Sequence, residues 1–141
     1  MSGGVFVETQ DLRAKAVQIK NLNFSNSLLD KPIVFDDAQC MVKQIWRLAR
    51  FYAHESCAQC TQCREGTAWV TKILERIENG QGQMRDLDTL LELSENMTGK
   101  TICVLSDSCA APIVSGIQKF RHEFEAHISG KRCPMRTTAA A

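Results

Sequence analysis

From residue 38 onward, apolar side chains recur at helical spacing. Met41, Ile45, Leu48 and Tyr52 stand at i, i+4, i+7 and i+11, the stripe of an amphipathic helix. Val70, Ile73, Leu74 and Ile77 make a second stripe, stopped by Asn79 and Gly80. Leu87, Leu90, Leu91 and Met97 make a third, with Asp86 as its cap and Gly99 closing it. Ile113, Ile117, Phe120, Phe124 and Ile128 make a fourth, opened by Ser106 and Asp107 and ended by Gly130. Pro112 falls in the first turns of that helix, where a proline tightens or kinks it. Four helices with short connections predict an all-α fold, a small four-helix bundle over residues 38–130.

The flanks carry weaker patterns. Val5 to Val7 reads as a short strand, and Leu12, Ala16 and Ile19 have helical spacing. Lys31 to Asp37 reads as an edge strand opened by Pro32 and ending in two aspartates able to cap the next helix. Residues 1–37 are therefore expected to be an irregular or β appendage. Residues 131–141 have no periodicity and are expected to be a flexible tail.

Composition narrows the function classes. The chain of 141 residues has a formal charge of +1, so nothing steers it as a whole toward nucleic acid. No run of eighteen apolar residues exists to span a membrane, and the N-terminus lacks the plan of a secretory signal. Seven cysteines are many for this length, and their number is odd. Three of them form one tight triplet, which favours reduced thiols and metal over a disulfide framework.

That triplet is Cys57, Cys60 and Cys63, in the turn between the first and second stripes. A two-residue spacer lets successive sulfurs reach adjacent corners of a metal–sulfur cube, and a fourth thiolate comes from elsewhere in the chain. This is the ligand arithmetic of a [4Fe–4S] cluster. Cys103, between the third and fourth helices, is the best fourth ligand, because an up-down bundle puts both cysteine loops at the same end. Cys133 stands before Pro134 as in bacterial ferredoxin motifs but is far from the triplet. Cys109 lies in the first turns of the fourth helix, and Cys40 a full helix away from the loop. A helix beginning near Arg64 aims its positive end at the loop and favours thiolate. Trp69, Ile102, Val104 and Leu105 are expected to keep water from the site.

Other chemistries fit less well. A structural zinc site, in an interaction module, is the alternative from a different class, but the usual second Cys-x2-Cys pair is missing. A thioredoxin-like site needs a βαβ context that is absent. His54 can tune the cluster or simply cap its helix, His122 and His127 sit among charged residues as if solvated, and Trp46 and Trp69 read as core or interface residues. No general base or nucleophile is indicated, so no catalytic residue is assigned.

Longer words add a resemblance. Glu55-Ser56-Cys57-Ala58-Gln59-Cys60-Thr61-Gln62-Cys63-Arg64-Glu65-Gly66-Thr67 resembles the cluster motif of the NADH-oxidising flavoprotein (51-kDa or F) subunit of respiratory complex I. So do Thr101 to Asp107 and Phe120 to His127, and the match covers about residues 32–134. Diaphorase subunits of NAD-linked hydrogenases and formate dehydrogenases share this module. The resemblance implies that Cys57, Cys60, Cys63 and Cys103 ligate a [4Fe–4S] cluster that accepts electrons from flavin, with Val104 and Leu105 toward the flavin. It also implies a role as electron relay within an NADH–quinone oxidoreductase, as one part of the complete enzyme. The implied partners are a flavin- and NADH-binding domain and a neighbouring [2Fe–2S] subunit, in a cytoplasmic assembly peripheral to the inner membrane face, or on the matrix side in mitochondria. Ala58, Gln62 and Ser106 replace the commoner Gly, Pro and Gly. Residues 1–37 contain no Gly-rich nucleotide loop, so FMN and NAD, which the full-length family binds, are not expected on this chain. It resembles the family's C-terminal cluster domain alone.

Overall fold

The computed structural model describes residues 39–134; the expected strands before Asp37 and most of the tail lie outside them. Four helices follow one another: α1 (Met41–Glu55), α2 (Thr61–Glu78), α3 (Arg85–Met97) and α4 (Leu105–Gly130). Consecutive helices pack on each other through short connections, so the path runs up and down. Among the described residues α1 and α3 do not touch, while α2 and α4 do, so α2 and α4 form the central diagonal of an all-α bundle.

The predicted stripes become the core. Ile45 of α1, Val70, Leu74 and Ile77 of α2, Leu87 and Leu90 of α3, and Ile113 and Phe124 of α4 are fully buried. On α1 the buried face is Met41, Val42, Ile45 and Ala49, with Leu48 and Tyr52 only half-buried. That face is turned slightly from the expected stripe because small Ala49 lies against the core. The four helices hide apolar side chains along one face each, and among the described residues no helix is long and apolar enough to cross a membrane.

Helix ends follow the local chemistry with two adjustments. Gly80 and Gly99 take the left-handed conformation just past α2 and α3, as their sequence positions predict. Asp86 lies inside α3, whose cap residue is Met84. Its buried carboxylate accepts the Gln83 N–H at 2.7 Å and pairs with Arg76, tying the α2–α3 turn together. Pro112 is accommodated in α4, and the break in helical geometry comes at Phe120 instead, with φ −118° and ψ 30°. The buried face nevertheless runs through it: Ile113, Ile117, Phe124 and His127 keep helical spacing and are all buried. Beyond the break Phe124 and His127 point into the core, and Phe120 and Ile128 are left half-buried.

His127 is part of that buried face. Its charged sequence neighbours predict a solvated side chain, yet it is 1% exposed, with Nδ1 2.7 Å from the Glu123 carbonyl oxygen and Nε2 3.4 Å from Glu78. The start of α1 is fastened to the same region, since the Met41 N–H donates to the Glu123 carboxylate at 2.9 Å. Cys133, just past α4, is 3% exposed and belongs to the core cluster.

Candidate metal centre

The cysteine triplet spans a tight turn and the first turn of a helix. α1 ends at Glu55 and α2 starts at Thr61, three residues earlier than the sequence suggests, so Cys60 is the cap residue of α2 and Cys63 lies within its first turn. The side chain of Cys60 makes no capping hydrogen bond, which leaves the positive end of α2 facing the loop. Ala58 at the apex has φ +63°, a conformation that L-residues with a Cβ rarely adopt. Two side chains hold the apex there. The Ser56 hydroxyl accepts the Ala58 N–H at 3.3 Å and lies 3.3 Å from the Cys63 sulfur. Arg64 donates to the Ala58 carbonyl at 3.0 Å, bringing a cation beside the loop.

The α3–α4 connection carries Cys103 and is tied down by its own hydroxyls. Thr101 donates to the Cys103 carbonyl at 2.8 Å, Ser106 donates to the Met97 carbonyl at 3.1 Å, and the Gly99 N–H donates to the Asp107 carboxylate at 2.8 Å. Ser106 is therefore a buried polar strut between α3 and α4.

Both loops lie at one end of the bundle, since α1 and α3 end where α2 and α4 begin. Two close approaches bind that end together. A Cβ on Gly66 would fall 2.7 Å from both Cγ and Sδ of Met97, so the second turn of α2 rests on the last turn of α3. Cys109 of α4 is near enough to Cys63 for the two to interact electrostatically; burial first, and Cys63 second, push the Cys109 thiol up to about 12. Cys109 is thus an unreactive core thiol.

All seven cysteines are free thiols. Cys57 and Cys103 are exposed, Cys60 is half-buried and Cys63 is buried. Among the described residues these four do not gather their donor atoms within 4.8 Å of one another, as ligands of a single ion do. Thiolates bound to four separate irons stand further apart than the ligands of one ion, and the two loops put four free thiols at one end of the bundle. The residues present fit a [4Fe–4S] group: the thiol set is complete, and a helix N-terminus and Arg64 offset its negative charge.

The apolar shield departs from expectation. Leu105 is buried, but Ile102, Val104 and Trp69 are 87%, 54% and 51% exposed. Phe51, in the last turns of α1, is exposed as well. These side chains face outward and cannot dry the site alone. Sequence reasoning also missed a second gathering of ligand-type side chains, Cys40, Glu78, His127 and Cys133, at the opposite end of the bundle.

Comparison with known proteins bears on the cysteine loops. A family model described as the NADH-ubiquinone oxidoreductase-F iron-sulfur binding region matches residues 43–127. The F subunit of the NADH-quinone oxidoreductase of Streptomyces coelicolor is 50% identical over 100 residues, covering 71% of this chain and 22% of that protein. The mitochondrial NADH-ubiquinone oxidoreductase 51 kDa subunit of Neurospora crassa is 49% identical over 96 residues, covering 68% of this chain and 20% of that one. Among solved structures, a chain of an NAD+-reducing [NiFe]-hydrogenase in the air-oxidised state aligns with a TM-score of 0.65 at 37% identity, over 67% of this chain and 17% of its own. The chain thus spans about a fifth of the length of the curated relatives it matches.

Proposed function

Because the chain belongs to the family of the NADH-ubiquinone oxidoreductase-F iron–sulfur binding region, a [4Fe–4S] domain, we propose that Cys57, Cys60, Cys63 and Cys103 each ligate one iron of its single cluster. When bound, the cluster supplies a one-electron carrier. The chain's own residues hold and tune it. Cys63 anchors it from the buried first turn of α2, Ser56 offers a hydroxyl to that sulfur, and Arg64 and the α2 N-terminus favour the anionic state.

The activity proposed for the assembly is electron relay from an NADH-reduced flavin on a separate domain toward further clusters, including that of a [2Fe–2S] subunit. It sits in a complex peripheral to the inner membrane face. A diaphorase of hydrogenase type uses the same module with different partners, as the 37% identical hydrogenase chain illustrates. The observation that carries the relay reading is the match of residues 43–127 to an iron-sulfur binding region. Ile102, Val104, Trp69 and Phe51 leave the cluster end uncovered in this chain alone. Large exposed apolar side chains suit a surface that another domain covers. In this reading Val104 and Leu105 lie toward the flavin, and the covering domain supplies the dryness that these side chains do not.

The test is the content of protein purified without oxygen. About four irons and four labile sulfides per chain, with a paramagnetic signal on reduction by dithionite, is the expected result. Stoichiometric zinc without sulfide, after anaerobic reconstitution with iron, would replace the relay with a structural zinc module.

A further inference from the structure

The end of the bundle remote from the cysteine loops holds a second set of metal-ligand side chains. Cys40 caps α1, Glu78 is the last residue of α2, His127 is in the last turn of α4, and Cys133 lies three residues beyond α4. From Cys63 to Glu78 the rise along α2 is roughly 22 Å, so this set shares nothing with the cluster ligands. All four side chains are buried, at 6%, 2%, 1% and 3% exposure. One donor atom from each lies within 4.8 Å of all the others.

The geometry points to a second metal site, taking one zinc ion through Cys40 Sγ, Glu78 Oε2, His127 Nε2 and Cys133 Sγ. The spacing is that of ligands around one ion. Cys40 Sγ stands 3.3 Å from His127 Nε2 and 3.7 Å from Glu78 Oε2, and the last two stand 3.4 Å apart. A tetrahedral zinc with ordinary bond lengths sets such atoms about 3.3–3.8 Å from one another. Two sulfurs, one imidazole and one carboxylate are a donor set that zinc accepts.

The surroundings are built for ligation. His127 Nδ1 can only donate to the Glu123 carbonyl, 2.7 Å away, which fixes the tautomer and leaves the Nε2 lone pair turned to the site. The Lys43 N–H lies 3.4 Å from Cys40 Sγ, an N–H···S contact of the kind that steadies a bound thiolate. The second carboxylate oxygen of Glu78 is buried and has no hydrogen-bond partner. Hydrogen bonding among these side chains therefore leaves the carboxylate only partly satisfied, and a cation held at Oε2 would offset its charge. The segment bearing Cys133 is held by close packing: a Cβ on Gly80 would fall 2.0 Å from the Lys131 carbonyl oxygen, so only glycine lets residues 131–132 lie against the end of α2. The site is thus a staple across α1, α2 and the end of α4, remote from the cysteine loops.

The test uses the cluster-bearing chain, produced with both iron and zinc supplied and purified without oxygen. Zinc, iron and sulfide are counted together, and the zinc X-ray absorption edge is recorded. The site requires about one zinc per chain beside the iron, in a shell of two sulfurs near about 2.3 Å and two lighter donors near about 2.0–2.2 Å. Glu78→Gln and Cys133→Ala should each weaken zinc retention against a competing chelator by about tenfold or more, with iron and sulfide unchanged. Absence of zinc from an iron-replete wild-type chain overturns the site, and so does zinc bound by four sulfurs. Zinc in the mixed shell of a chain that carries no iron would support the site while refuting the cluster proposal, so the two failures are distinguishable.

Discussion

Gly66 and Met97 meet at a distance that no side chain larger than hydrogen allows: a Cβ on Gly66 would sit 2.7 Å from Cγ and Sδ of the methionine. This contact seats α2 on α3 directly behind the two cysteine loops. Gly66→Ala should cost up to about 2 kcal/mol, the overpacking against a flexible methionine less the roughly 1 kcal/mol that alanine gains in a helix interior. Met97→Ala alone opens a cavity and should cost about 2–5 kcal/mol. Denaturant unfolding of both variants and the double variant should give a cost smaller than the sum, by at least about 0.5 kcal/mol, because each change makes room for the other.

Ala58 occupies a left-handed position, φ +63°, where its Cβ is strained. Ala58→Gly should raise stability by about 0.5–1 kcal/mol, the relief of that strain less the greater entropy of an unfolded glycine. Thermal unfolding of the cluster-bearing forms should show the glycine variant melting higher. An unchanged or lower midpoint would mean that the strain is not there.

Cys109 offers a pH signature. Burial, with a smaller push from Cys63, holds its thiol up at about 12 against an ordinary value of 9.0. A raised folded-state value favours the native state fully below pH 9, and that advantage is lost as pH rises from about 9 toward 12. Unfolding free energy should therefore fall over that window, and less steeply in Cys109→Ala. In the native holoprotein at neutral pH, iodoacetamide should leave Cys109 unlabelled.

Asp86 is 2% exposed and receives both the Gln83 N–H and Arg76. Asp86→Ala should cost about 1.5–3 kcal/mol, chiefly through the lost charge-assisted bond to the Gln83 backbone. Arg76 is 45% exposed, so solvent screens its share. Arg76→Ala should accordingly cost less than Asp86→Ala in the same denaturant titration.

Features governed by local rules were legible in the sequence. Gly80, Gly99 and Gly130 mark helix ends, the stripes of α2 and α3 are the buried ones, and the cysteine spacing announces its own chemistry. The departures arise where distant residues decide. His127 sits among charged neighbours in sequence, yet it continues the face of Ile117 and Phe124, and Cys40 and Glu78 from elsewhere in the chain receive it there. Cys40 and His127 are 87 residues apart, so no spacing rule links them. Ser106 reads as a helix cap but acts as a strut to Met97, and Ile102 and Trp69 read as shielding but face outward. An apolar residue whose burial depends on another domain cannot be told from a core residue by periodicity.

The assignment of the fourth cluster ligand is the central claim, and its sharpest rival within this end of the bundle is Cys109, the buried thiol beside Cys63. Iron and labile sulfide should be counted in anaerobically purified Cys103→Ser and Cys109→Ser, with dithionite-reduced paramagnetic spectra of both. Cys103→Ser is expected to lose the four-iron cluster, while Cys109→Ser keeps about four irons and the wild-type signal. Full iron in Cys103→Ser, or its loss in Cys109→Ser from a chain that remains folded, would contradict the assignment.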